Sequence, residues 1–319
     1  MSAPGCDASL LRTLVFERMP LLPLPASGKT LQRWRMLAEV AALDLSLAKL
    51  FESHADAAAI LVERGSTPPL AGTLWGTWCA EPPDARLVVT GSDPVRLNGL
   101  KSWCSGAALV SHAVVSCWDE EGQPCLARVM LNQAGVRVTQ EGWHAVGMAG
   151  TASVDVRFDD AIAERVGAPH AYTRRPGFWQ GGAGIAACWW GGAQALAVAC
   201  RSQMAARPDA HGLAHLGAID VALRSAAALL REAAEWIDAH PRADAQALAL
   251  RTRLGVETAA LEVLQRAART LGPGPLCRDA SLARRFADLP VFMRQSHAER
   301  DLQALGEHIT SHKETTWRL

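Results

Sequence analysis

Between Leu289 and His308 the chain reads LPVFMRQSHAERDLQALGEH, which places Arg294, Ser296, His297, Glu299, Arg300 and Asp301 within eight residues. A histidine titrates near neutrality and serves as proton donor or acceptor. A carboxylate held close to a C–H bond and away from water serves as a base. On a continuous helix Arg294, His297 and Asp301 share one face at i, i+3 and i+7, so Asp301 could orient His297, with Glu299 turned away. Three readings stay open on these residues. His297 works on a bound cofactor or substrate, Glu299 is a base, or the stretch is a solvated face whose ion pairs have little energetic consequence.

A site needs elements to hold it, and the chain falls into three regimes. Residues 29–64 are rich in alanine and leucine. Leu37, Val40, Ala41, Leu45 and Ala48 follow helical spacing there, after the proline-broken stretch PLLPLPASGK. From about residue 70 to 167, short β-branched runs (RLVVT, VRLNG, ALVSHAVVSC, CLARVML, GVRVT, ASVDVRF) alternate with turn sequences, which predicts a sandwich or barrel. In the last of these, Ser153, Asp155 and Arg157 are expected to face outward and Val154, Val156 and Phe158 inward. Helical segments near 179–206, 212–239, 243–271 and 278–311 follow, separated by ARPDAHG, HPRAD and LGPGP, and predict a bundle. The expected organisation is α+β, with a short helical domain at 1–70, a β domain at 71–168 and a four-helix bundle at 169–319.

Thirty-two basic residues balance 32 acidic ones. This argues against nucleic acid or an anionic membrane as partner, since both need a basic surface. The eight cysteines (Cys6, Cys79, Cys104, Cys117, Cys125, Cys188, Cys200 and Cys277) show neither CxxC nor zinc-ligand spacing, so no metal site is expected. Glu17 and Arg18 interrupt the first apolar run, and the longest uncharged stretch, 176–200, is loaded with glycine, so neither signal peptide nor membrane span is expected. A reducing, cytoplasmic setting with buried thiols fits that usage. ASGKT at 26–30 ends like a P-loop, but Pro23 stands where the first glycine belongs. GAGIAA at 182–187 lacks a strand before it, so Gly181, Gly182, Gly184, Gly191 and Gly192 read as close helix packing.

GLKSWCSGA at 99–107 suggests a turn in which Trp103 offers a flat wall and Ser105 a hydrogen-bonding group for a planar ring. With GMAGTASVDVRFDD at 147–160 the sequence resembles the acyl-CoA dehydrogenases, flavoproteins with an N-terminal helical domain, a central β domain and a C-terminal four-helix bundle. WCAEPP at 78–83 is similar to that family's "TEP" turn, and LNGLKSWCSGA to its "NGxKxWIT" flavin wall. The resemblance implies FAD contacts from Trp78, Cys79, Ala80, Trp103, Cys104 and Ser105. It further implies that Arg207 reaches the FAD pyrophosphate of a neighbouring subunit, hence a homodimer or homotetramer. LQRAARTLGPGPL is similar to the "GGxGY" turn and puts Gly272 near the adenosine end; RRFADLP is similar to the "RDA" start of a helix, and Ala298 is assigned to the cofactor side of the turn beyond it.

The departures point to changed chemistry. The first domain is short, the glycine–serine–aspartate element is displaced to Gly91, Ser92 and Asp93, and Ala210 stands where a phenylalanine is usual. The family's catalytic glutamate, counted from Asp288, falls on Ser296, with His297 in place of the glycine after it; the alternative site near Gly181 and Gly182 carries no acid. The expected function is an FAD-dependent dehydrogenase acting on the CH–CH bond of an acyl-CoA, a carrier-linked acyl group or a related small molecule. The second expectation is a reduced-flavin monooxygenase of the same fold, in which a histidine acts as proton donor. The third is a non-catalytic flavin-binding subunit, its pocket filled by Trp179, Trp189 and Trp190. His144, and Arg174 with Arg175, read as a turn histidine and a solvated pair.

Overall fold

In the computed structural model the described residues are 7–92, 94–311 and 317; Cys6, Asp93 and His312 lie outside them. The chain forms two compact units. One comprises residues 7–24 and 46–178, the other 25–45 and 179–311. The first holds α1 (Ala8–Arg18), most of α3 (Leu45–Glu63), seven strands and the short α4 (Ala171–Arg174); the second holds α2 (Thr30–Leu43) and the long C-terminal helices. The predicted helical stretch at 29–64 is thus two helices, divided at Asp44, where the backbone turns extended.

The strands are β1 (Trp75–Trp78), β2 (Leu87–Thr90), β3 (Val95–Cys104), β4 (His112–Trp118), β5 (Pro124–Met130), β6 (Val136–Val138) and β7 (Val154–Arg165). Pairing runs β4–β2–β3–β7–β5 and returns from β5 to β4, so the sheet closes into a barrel, with β1 added on β4 and β6 on β7. Closure removes exposed edges. Leu87, Val89, Leu97, Val115, Ala127, Val156 and Phe158 fill one core cluster. The other face of β4 carries Val114, which joins Leu126, Trp75 and Val166 against Ile60 and Leu61 of α3. A strand buried on both faces reads as continuous apolar sequence, as SHAVVSC does. Ser153, expected outward, is buried, because its hydroxyl is bonded inside the turn that precedes β7.

The second unit is built on α5 (Gly177–Ala206), α6 (Ala210–Ala239), α7 (Gln246–Leu271), α8 (Pro273–Arg278), α9 (Ala280–Phe292) and α10 (Glu299–Ser311). Three glycines of α5 pack as closely as its sequence suggests: a β-carbon on Gly184 would press on Trp34, on Gly191 would strike the backbone of Ala38, and on Gly192 the side chain of Leu45, whereas Gly182 has nothing nearer than 4.0 Å. Because those glycines lie inside one unbroken helix, α5 is long and apolar enough to cross a membrane, as is α6, where the sequence reading found no such span. In α5, 67% of the apolar window is buried within the protein, as in a core helix; in α6 only 17% is, leaving Leu213 and Val221 exposed. The P-loop-like Thr30 begins α2, and its N–H and hydroxyl both donate to the carboxylate of Asp238, at 3.0 and 2.6 Å. That carboxylate occupies the helix N-terminus, where a phosphate would otherwise bind.

The expected helix at 278–311 is two helices. Asp279 caps α9 by accepting from the N–H groups of Ser281 and Leu282, so RRFADLP ends a helix rather than starting one. Pro290 lies near its C-terminal end, a 3-10 turn follows at Met293–Gln295, and α10 begins at Glu299. Arg294, His297 and Asp301 therefore share no helical face.

Candidate active site

The sheet-bearing unit brings the aromatic wall together from the ends of β1 and β3. Two register shifts interrupt the β3–β7 pairing, between Leu97 and Gly99 and between Lys101 and Cys104. Such bulges turn a strand and re-aim its side chains. Trp103 sits at the second with φ 57°, a conformation that costs an L-residue about 1–2 kcal/mol, and is 51% exposed. Held strain of this kind clusters at functional sites. Around it the groups are buried and satisfied. The indole N–H of Trp78 donates to the carbonyl of Ser105 at 3.1 Å, and the Ser105 N–H donates to the carbonyl of Trp103 at 3.0 Å. The Ser105, Ser153 and Thr151 hydroxyls form a chain with links of 2.9 and 2.8 Å, ending where Thr151 donates to the Met148 carbonyl. The Cys104 thiol is fully buried against the Lys101 carbonyl.

Cys79 and Ala80, just past β1, are half-buried. Burial pushes the Cys79 thiol up to about 11, and the same environment, with the Cys79 thiol beside it, raises the phenol of Tyr172, so both stay protonated at neutral pH. Behind the wall lies a group that the sequence reading passed over. Lys101 is 2% exposed, and its ammonium donates to Glu81 at 2.5 Å and to the Ser116 hydroxyl at 2.7 Å, while Trp118 donates to the other Glu81 oxygen at 2.9 Å. Its signal was a lysine inside a strand, two residues before the wall tryptophan. Arg175 corrects the expectation of a solvated pair. It is buried, with Glu63 at 2.8 Å and Asp56 at 3.3 Å, whereas Arg174 and His144 are exposed.

The bundle unit carries the histidine. Between the 3-10 turn and α10, Ser296 is extended and Ala298 adopts φ 46°. The Ser296 hydroxyl accepts from the Ala298 N–H at 3.2 Å. Asp301, buried in the first turn of α10, accepts from the His297 N–H through Oδ2 at 3.1 Å, and its Oδ1 lies 3.5 Å from His297 Nδ1. The link from Asp301 to His297 therefore exists, through a helix-capping carboxylate rather than a shared face. The His297 ring is 62% exposed. Glu299 is exposed in the same helical turn. Arg207 follows the end of α5 and is exposed; Gly272 sits between α7 and α8 at φ 65°. Trp189 is fully buried, with the Arg253 guanidinium stacked 5.2 Å from its centre, and Trp190 donates to the Leu223 carbonyl at 3.0 Å, so both are tied into the bundle. Among the described residues no three histidine, cysteine or acidic side chains gather as a metal site.

No protein-family model and no curated protein matches the sequence. Solved structures do. Methanesulfinate monooxygenase from Pseudomonas fluorescens superposes with a TM-score of 0.75 at 20% identity, over 97% of this chain and 96% of that one. Dibenzothiophene monooxygenase from Paenibacillus sp. A11-2 superposes with a TM-score of 0.76 at 19% identity, over 97% and 96% of the two chains; other structures of that enzyme hold FMN, or FMN and indole. Butyryl-CoA dehydrogenase from Megasphaera elsdenii superposes with a TM-score of 0.82 at 15% identity, over 96% and 91%. Helices, closed β-barrel and helical bundle thus follow in the order the resemblance implied, and the chain has the fold of the acyl-CoA dehydrogenases, shared by dehydrogenases and flavin monooxygenases alike.

Proposed function

We propose that this chain is a flavin-dependent oxidoreductase acting on a small molecule, with His297 as its proton-handling group, and that oxygenation suits it better than CH–CH dehydrogenation. One observation carries the choice. The turn after α9 presents a histidine backed by the buried carboxylate of Asp301, while the other candidate base, Glu299, faces water. A base that removes a carbon-bound proton needs shelter from water. An imidazole next to a fixed carboxylate can hold or donate a proton at its exposed edge.

The wall fits a flavin. Trp103 is held in a strained, half-exposed conformation by a fully satisfied surround, as a platform for a planar ring would be. When bound, the flavin supplies the redox chemistry, delivering electrons to oxygen or taking up a hydride. Trp78, Cys79, Ala80, Trp103, Cys104 and Ser105 would hold the ring; Arg207 and Gly272 would serve the cofactor of a neighbouring subunit, and Ala298 is kept as a cofactor-side residue of the bundle unit. FAD is our reading from Arg207 and Gly272, while the FMN-bound Paenibacillus enzyme keeps FMN open. A homodimer or homotetramer is supported by the exposed Leu213 and Val221 of α6, which a second copy would cover. We keep the segments 1–70, 71–168 and 169–319 as functional divisions and a cytoplasmic setting as expected.

The test is reconstitution with FAD or FMN, anaerobic reduction, and rapid mixing with oxygen. A long-lived absorbance phase before full reoxidation, shortened about tenfold or more in His297→Ala, is the expected result. Prompt reoxidation, with bleaching of oxidised flavin by an acyl thioester that Glu299→Gln abolishes, would establish the dehydrogenase instead. Failure of the folded protein to bind either flavin would leave the non-catalytic reading.

A further inference from the structure

The His297 turn is held from α7. Arg253 and Glu257 lie one helical turn apart on that helix, at i and i+4, and so point the same way. The Arg253 guanidinium donates through one nitrogen to the Gln295 carbonyl at 2.7 Å and through the other to the Gly182 carbonyl of α5 at 3.0 Å. Its central carbon lies over the Trp189 ring, 5.2 Å from the centroid, a cation–π contact that helps hold the fork in place. Glu257 is buried and accepts from the guanidinium of Arg294. Two opposite charges on one helix thus grip consecutive residues, the side chain of residue 294 and the backbone of residue 295, immediately before Ser296 and His297. The side-chain oxygen of Gln295 is buried without a partner, so the backbone carbonyl is the polar tie that fixes this residue.

We infer that Arg253 and Glu257 are positioning residues, which set the direction in which the Ser296–Ala298 turn presents His297. The inference rests on the proposed role of His297 and adds the mechanism that aims it. A planar fork reaching two carbonyls at once is arginine chemistry, since a lysine is a point charge on a flexible stem. Displacing a proton-handling group by about 1 Å can lower a rate by about a hundredfold. A staple that only held the bundle together would lower stability without acting through His297.

Two readouts test this. The first is the lifetime of the oxygen-reactive phase in Arg253→Met, Glu257→Gln and Arg253→Lys, each alone and combined with His297→Ala. The expected result is a lifetime shortened about tenfold or more by Arg253→Met, partly restored in Arg253→Lys, with little further loss once His297 is absent. Equal losses with and without His297 would overturn the proposal, as would an unchanged lifetime in folded Arg253→Met. The second readout needs no flavin: the carbon-13 imidazole signal of His297, identified by its disappearance in His297→Ala. It should shift or broaden in Arg253→Met and Glu257→Gln, and an unmoved signal in both would sink the clamp. If His297→Ala leaves the lifetime unchanged, the functional reading fails, and the imidazole signal still decides whether the clamp exists. Should Arg253→Met fail to fold, Arg253→Lys gives the same decision at smaller amplitude.

Discussion

Two turns carry the candidate chemistry, and they are built on opposite plans. Each places a non-glycine residue in the left-handed region, Trp103 at φ 57° and Ala298 at φ 46°, and each keeps a serine beside it. At Trp103 the turn is fixed by continuity with a strand, by the Trp78 indole on the Ser105 carbonyl, and by a buried chain of three hydroxyls. At Ala298 no strand or helix runs through. The turn is a gap between α9 and α10, pinned by side chains reaching in from Arg253, Glu257 and Asp301. The first plan suits a surface that must stay rigid under a ring. The second lets a proton-handling side chain stand in water while its backbone is gripped. A wall should therefore fail with its fold, and a clamped turn should fail in its chemistry first.

Acid gives the largest contrast. His54 is buried on α3, and its Nδ1 accepts the Trp75 N–H at 3.0 Å, anchoring β1 beside the wall. Burial lowers this imidazole to about 4 from its usual 6.5. A folded value below the unfolded one means that stability is full above the unfolded value and is lost as pH falls toward the folded one. Between about pH 6.5 and pH 4 the sheet-bearing unit should lose about 3 kcal/mol from this group alone. Denaturant unfolding of the wild type and His54→Asn, which keeps an acceptor but does not titrate, checks this; equal pH slopes would refute it.

Lys101→Met comes next. It strands the Glu81 carboxylate, itself 32% exposed, so the cost should fall below that of a fully buried pair, at about 2 kcal/mol. Flavin affinity should drop with stability, because the wall strand loses its anchor. A variant that binds flavin normally while unfolding more easily would show that wall and strand are independent. The smallest effect is at the clamped turn. Ala298→Gly relieves the left-handed strain and should stabilise by at most about 1 kcal/mol, with the lifetime of the oxygen-reactive phase reduced because the turn gains freedom. A gain in stability with an unchanged lifetime would mean that Ala298 contributes nothing to aiming His297.

The sequence disclosed the periodic parts of this molecule, for local reasons. Leu37, Val40 and Ala41 are buried on α2 as their spacing implied, and RLVVT, CLARVML and ASVDVRF each contain a strand. The ends of elements were harder to read. RQSHAERD contains neither glycine nor proline, and its one start signal, Ser296 three residues before Glu299, is weak inside a charged run; the break follows from Asp301 capping α10 and from ties to residues some forty positions earlier. WGTW was missed as a strand because it lacks a β-branched run and gains its place by pairing with β4. Arg175 looked like loop charge because its partners, Asp56 and Glu63, are more than a hundred residues away. Side-chain ties across such separations leave no periodic trace.

The order in which the chain contributes to its two units has a consequence for how such a protein can change. Residues 25–45 interrupt the sheet-bearing unit and belong to the bundle. No single cut releases either unit by itself, and a gene fragment that begins at β1 lacks α1 and α3 while one that begins at α5 lacks α2. New specificity in this chain is therefore expected to arise by substitution within the turns rather than by exchange of whole modules, and a graft that transfers the bundle has to carry residues 25–45 with it.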